Sequence, residues 1–95
     1  TDKPWVKLVN QTIGQTIKIQ IIDSSNGIPR ELHEKIFEPF FTTKKMGKGT
    51  GLGLSISRTL IERHSGRLYL DSAWQNTKFV IELPNIILKT NGKHA

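Results

Sequence analysis

From Lys44 the chain reads Lys-Lys-Met-Gly-Lys-Gly-Thr-Gly-Leu-Gly, so Gly47, Gly49, Gly51 and Gly53 occupy every second position, with Lys44 and Lys45 upstream of them and Lys48 between the first two. Downstream, Leu52, Ile56 and Leu60 recur at four-residue intervals with Ile61 beside them, the stripe of an amphipathic helix of about three to four turns. A helix N-terminus presents unpaired N–H groups and the positive end of the helix dipole, and so attracts phosphate. Glycines let the backbone approach a ligand closely and adopt positive φ. Glycines, lysines and helix start together read as a phosphate cradle. The alternative is a flexible glycine-rich loop with no ligand. The common phosphate motifs do not fit: Lys48 is followed by Gly49 rather than Ser or Thr, and the glycines follow a long loop rather than a strand. They also open a helix, whereas a protein-kinase glycine loop joins two strands.

A second chemical group stands upstream. Asp23 closes the most apolar segment, Thr16 to Asp23, directly before a glycine-containing turn. A carboxylate there can accept a hydrogen bond from an exocyclic amine such as that of adenine, an interaction worth ~1.5–3 kcal/mol. The plainer role is capping the turn that begins at Ser24.

The elements that must position these groups follow from periodicity. Trp5 to Val9 and Thr16 to Asp23 alternate as strands, with Ile17, Ile19 and Ile21 on one side of the second; Asn10 to Gln15 supplies the turn of a hairpin. Pro29 and Glu31 suit the first turn of a short helix with Leu32 and Ile36 on its apolar side, ended by Pro39. A long loop leads to the amphipathic helix, which Gly66 is placed to stop in a left-handed conformation. Two further strands, Arg67 to Ser72 and Thr77 to Pro84, form a second hairpin, and the tail after Pro84 frays. Antiparallel pairs with helices on one face make an α/β two-layer sandwich with a mixed, mostly antiparallel sheet.

The 95 residues suit one small domain. There is no cysteine, which excludes disulfides and cysteine zinc sites. No apolar run approaches the ~20 residues of a membrane span. The net charge of +6 fits an anionic partner or simply a basic surface. Nucleic acid is not the expected partner, because base-stacking surfaces interleave aromatic and basic residues, whereas Phe37, Phe40 and Phe41 fall together ahead of the lysines.

Taken in order, DSSNGIP (23–29), IFEPFFTTK (36–44) and GKGTGLGLSI (47–56) strongly resemble the ATP-binding catalytic domain of sensor histidine kinases, within the wider gyrase, Hsp90 and histidine kinase ATPase family. The resemblance runs from about Thr16 to Pro84, so that residues 1–84 would be a partial ATP-binding domain, truncated at its N-terminus, and residues 85–95 a tail. It implies that Asp23 bonds the adenine amino group, that Gly27 and Ile28 shape the adenine pocket, and that Phe37, with Phe40 and Phe41, anchors a lid carrying Lys44 and Lys48. It further implies that Gly49, Thr50, Gly51, Leu52 and Gly53 wrap the phosphates, and that Thr77 supports the adenine end through a water.

The implied cofactors are ATP and Mg²⁺, and no catalytic or metal-ligating residue is assigned to this chain. The implied partners are a His-containing dimerisation domain and a response regulator, in a cytoplasmic setting whose parent protein can be membrane-anchored. The implied activity is autophosphorylation of a His on a separate module followed by phosphotransfer, with this chain inactive alone.

The sequence departs from the family pattern at three points. Ser25 stands where the D-x-G-x-G box has Gly, which would cost about 1 kcal/mol or more if that position needs positive φ. Asn76-Thr77 is all that remains of a late G-x-G-T motif. The Asn-bearing helix that helps hold Mg²⁺ in the family has no counterpart before the first strand, and Asn10 lies in a strand–turn context. The first two departures support an alternative, a non-catalytic kinase-like signalling domain. The third predicts an uncovered sheet face, and with it dimerisation, strand exchange or partial disorder. His33 reads as a surface residue, and His64 as a complement to the helix dipole.

Overall fold

The computed structural model describes residues 3–41, 52–71 and 75–85. The elements are β1 (Val6–Ile13), β2 (Thr16–Asp23), two single 3-10 turns (Arg30–Leu32 and Lys35–Phe37), α1 (Gly53–Arg63), β3 (Arg67–Leu70) and β4 (Lys78–Pro84). The four strands form one sheet in the order β1-β2-β4-β3, and every pairing is antiparallel. The expected two-layer arrangement is present, with differences that have identifiable causes.

β1 is longer than its alternation indicates. Asn10, Gln11 and Thr12, expected in the turn, pair instead with Ile19, Lys18 and Ile17. These residues have weak strand preference, but a neighbouring strand supplies partners, and Gln20 donates to Gln11 across the pair at 3.2 Å. The reversal shrinks to Gly14-Gln15, with Gly14 at φ +57°, the conformation a two-residue hairpin turn needs at its first position.

The short helix after Pro29 divides into two 3-10 turns, closed by Leu32 N–H to Pro29 O (2.9 Å) and Phe37 N–H to Glu34 O (3.1 Å). The tighter winding turns Phe37 inwards, where it is buried and meets Phe79 of β4 edge-on at 6.4 Å.

Partners across an antiparallel pair share a face. Val6 and Leu8 of β1 therefore lie with Ile17, Ile19 and Ile21 of β2, with Phe79, Ile81 and Leu83 of β4, and with Leu68 and Leu70 of β3. Phe37 and α1 cover the β3–β4 half of this apolar face. The β1 half is open, with Val6 71% and Leu8 63% exposed.

α1 ends where expected, by a different residue. His64, Ser65 and Gly66 wind the chain out through Ser65 N–H to Glu62 O and Gly66 N–H to Ile61 O, both 3.0 Å, which is a Schellman motif. The left-handed position belongs to Ser65 (φ +63°), not Gly66. Gly66 is needed for space instead: a Cβ there would collide with the Glu82 carbonyl oxygen and the Leu83 side chain. His64 does complement the helix end, its Nδ1 donating to Leu60 O at 2.8 Å.

On the opposite sheet face, Tyr69 donates to Glu82 at 2.6 Å and Arg67 pairs with the same carboxylate at 2.8 Å. The Tyr69 bond first, then the Arg67 bond, holds Glu82 below its usual carboxylate range. Burial, then the bond to Glu82, pushes Tyr69 up to about 12.

Two measurements test these assignments. In urea unfolding, Gly66→Ala should cost about 1–3 kcal/mol while the neighbouring Ser65→Gly should gain up to about 1 kcal/mol. Because Glu82 is depressed in the fold, its contribution is present above the unfolded carboxylate range and lost as pH falls through its folded value. Tyr69 behaves oppositely: its contribution is present below 10.0 and lost as pH rises through about 12. Stability of Glu82→Gln should therefore fall less steeply than wild type on acidification, when followed by unfolding at a series of pH values.

Candidate functional site

The end of β2 is locked on both sides. Asp23 N–H donates to Thr77 O, and Ser24 N–H to Trp5 O, both at 3.0 Å; Trp5 N–H returns a bond to Ser24 Oγ at 3.1 Å. Asp23 therefore emerges at a fixed place, opposite Val6 and in the row of Ile17, Ile19 and Ile21, at the rim of the open apolar face.

Its carboxylate is used on one side only. Oδ1 accepts from Ser25 N–H at 2.9 Å and from the Ser25 hydroxyl, so the turn-capping role is real. Oδ2 has no hydrogen-bond partner among the described residues. Capping and ligand recognition, posed as alternatives by the sequence, use different oxygens.

Ser25 is the residue that the sequence placed least well. It does not adopt positive φ, so the expected strain is absent. Its Oγ sits 2.6 Å from Thr77 Oγ1 and bonds Asp23 Oδ1, tying the two expected ligand-binding residues together. Asn76 is likewise not left-handed; its Nδ2 donates to Ser25 O at 3.0 Å. The two residues that argued for a degenerate site are thus both hydrogen-bonded within the loop.

The left-handed position in this loop is Gly27, at φ +88°, where a Cβ would stand 3.0 Å from Gln75 O. Gly27, Ile28 and Thr77 line one wall of a polar cavity of about 260 Å³, together with His33, Leu70, Asp71 and Lys78. Asp23 and Phe37 do not line it; Asp23 addresses the apolar face instead. His33 is not the surface residue expected from sequence. It is half-buried, and its Nε2 donates to Ile28 O at 2.7 Å, a contact with no sequence signature.

Phe37 is buried as a lid anchor would be, whereas Phe40 is 71% exposed at φ +68°. Arg58 of α1, which sequence reasoning missed, lies 4.4 Å over the Phe37 ring and pairs with Glu34 at 3.2 Å and Glu62 at 3.5 Å. It joins the Phe37 turn to the middle of α1. Gly53 is the first residue of α1, preceded by Leu52, with no side-chain cap and no acidic residue in the first turn. Its leading N–H groups thus keep the character that suits phosphate. Lys44, Lys48, Gly49, Thr50 and Gly51 lie outside the described residues.

An adenine nucleotide fits this arrangement. An acceptor-only carboxylate oxygen stands at the rim of an apolar face on which a base can lie, and an uncapped helix start suits phosphate. Among the described residues, no three His, Cys, Asp or Glu side chains cluster to hold a metal ion, and no helix is long and apolar enough to cross a membrane.

Residues 1–87 match the family of histidine kinase-, DNA gyrase B- and HSP90-like ATPases, and the chain belongs to that family. It is 49% identical over 72 residues to the sensor kinase CckA of Brucella abortus, covering 75% of this chain and 8% of that protein. Among solved structures, the nucleotide-free catalytic domain of histidine kinase ThkA superposes with a TM-score of 0.75 at 36% identity, over 88% of this chain and 55% of that one. ThkA in complex with the response regulator protein TrrA gives 0.68 at 34% identity, over 85% and 22%. Full-length ShkA in complex with AMPPNP gives 0.72 at 27% identity, over 83% and 17%. The chain thus spans less than a tenth of the CckA relative's length.

Gly27→Ala tests the loop. The left-handed φ and the contact with Gln75 O should together cost about 1–2 kcal/mol, and the amide resonances of Ser25, Asn76 and Thr77 should shift as the loop is displaced.

Proposed function

We propose that this chain is the ATP-binding part of a two-component sensor histidine kinase. The observation that carries this reading is Asp23 Oδ2, which has no partner among the described residues and is held at the rim of the apolar face in a chain of this ATPase family. Asp23 accepts the adenine amine, and Ile21 and its row give the base an apolar floor. Gly27 and Ile28 shape the adjoining wall, and Thr77 steadies the Asp23 end. Lys44 and Lys48, with Gly49, Thr50, Gly51, Leu52 and Gly53, neutralise and wrap the phosphates. Phe37, clamped by Arg58, fixes the base of the lid that closes over them.

ATP with Mg²⁺ supplies the phosphoryl group and the charge-neutralising metal, and catalysis of this kind rests mainly on positioning. In the parent protein the phosphoryl acceptor is a His on a separate dimerisation module, and a response regulator receives the group afterwards. No His described here suits the acceptor role: His33 is committed to Ile28 O and His64 to Leu60 O. Asn10, within β1, is not the helical Asn that helps hold Mg²⁺ in this family. The chain alone therefore binds nucleotide without phosphorylating itself.

The experiment is titration of Mg·ATP into wild type and Asp23→Asn. The amide keeps an oxygen for Ser25 N–H and replaces the free acceptor with a donor. Affinity should fall at least about tenfold, with unfolding little changed. Equal affinity would remove Asp23 from the site, and phospho-His forming on the isolated chain would contradict its inactivity. The open rows of β1 favour self-association, so light scattering should accompany the titration.

A further inference from the structure

We infer that Ser25 sets the base preference of this site by fixing the direction of its hydrogen bonds. The inference rests on the nucleotide reading above and adds a role for a residue that the reading does not use. A Ser hydroxyl has one proton, and here it goes to Asp23 Oδ1, because a carboxylate can only accept. The 2.6 Å contact between Ser25 Oγ and Thr77 Oγ1 then has a single consistent polarity: Thr77 donates and Ser25 accepts.

With its proton committed, Thr77 presents only lone pairs to a ligand, and Asp23 Oδ2 is likewise an acceptor. Thr77 cannot rotate to suit a different base, since it is 6% exposed and its proton is engaged. A ligand that meets both Asp23, at the rim of the apolar face, and Thr77, in the wall of the adjoining polar cavity, therefore finds only acceptors. The pair welcomes a base with an exocyclic amine and opposes one with a keto oxygen at the same position, since two acceptors facing each other leave both unsatisfied. Glycine at this position would leave the Thr77 hydroxyl free to turn and donate.

The loop does not need the hydroxyl to hold its shape. Ser25 N–H to Asp23 Oδ1 and Asn76 Nδ2 to Ser25 O both use backbone atoms of residue 25. Ser25→Ala and Ser25→Gly therefore remove the proton ordering while leaving these bonds available, and Ser25→Thr restores a hydroxyl.

The test is calorimetric titration of Mg·ATP and of Mg·ITP, whose purine carries a keto oxygen in place of the amine, into wild type and the three variants. Wild type should prefer ATP. That preference should fall about tenfold in Ser25→Ala and Ser25→Gly, chiefly through tighter ITP binding, and return in Ser25→Thr. An unchanged ATP-to-ITP ratio in Ser25→Ala and Ser25→Gly overturns the inference and leaves the nucleotide site standing. So does equal weakening of both nucleotides, which would mark Ser25 as merely structural. Binding of neither nucleotide by wild type overturns the function proposed above and this inference with it.

Discussion

The structure depends on the join between the end of β2 and the start of β4. Asp23 N–H donates to Thr77 O, and the side chains of the same two residues are bridged through the Ser25 hydroxyl. The join does two things at once. It closes the central strand pair at the end where the sheet must stop, and it fixes a carboxylate with one oxygen engaged and the other without a partner among the described residues. Had Asp23 capped its turn through both oxygens, the fold would be as stable and the site would lack its acceptor. Had it capped through neither, the side chain would be free to rotate and the recognition geometry would be lost.

The rest of the molecule divides around this join. On one side, the polar cavity behind the Gly27 loop is walled by Asp71, Gln75, Asn76 and His33. On the other, the apolar face runs from α1 and Phe37 to the exposed rows of β1. An edge strand with Val6 and Leu8 open to solvent is poorly stabilised by its own burial. β1 is held mainly by its ladder to β2, and by the paired bonds between Trp5 and Ser24 at its start. Stability should accordingly be graded across the sheet, greatest at Val80 of β4, which is 1% exposed, and least at β1.

Much of this was legible in the sequence because it is written in local pattern. The alternation of Ile17, Ile19 and Ile21 fixed β2, and the spacing of Leu52, Ile56 and Leu60 fixed α1. The residues that were misjudged are those whose conformation is decided by a distant partner. Asn10 to Thr12 became strand because β2 lay beside them. Ser65 took the left-handed position, while Gly66 is required by the close approach of Glu82 and Leu83. Ser25, which is not left-handed, bonds Thr77, fifty-two residues away. His33 turned inwards to a carbonyl that no motif marks. Propensity describes a residue's preference in isolation, and each of these positions is settled by tertiary contact instead.

Arg58 shows how the two halves of the site can act together. Its guanidinium lies over Phe37 and reaches Glu34, so a residue of α1 grips the turn that precedes residues 42–51. Phe37 in turn rests on Phe79, which is the second residue after Thr77. A continuous line of contacts therefore runs from the start of α1 through Arg58, Phe37 and Phe79 to the strand that carries Thr77, and from Thr77 through Ser25 to Asp23. The proposed phosphate end and the proposed base end are thus mounted on the same packed core, with no direct contact needed between them.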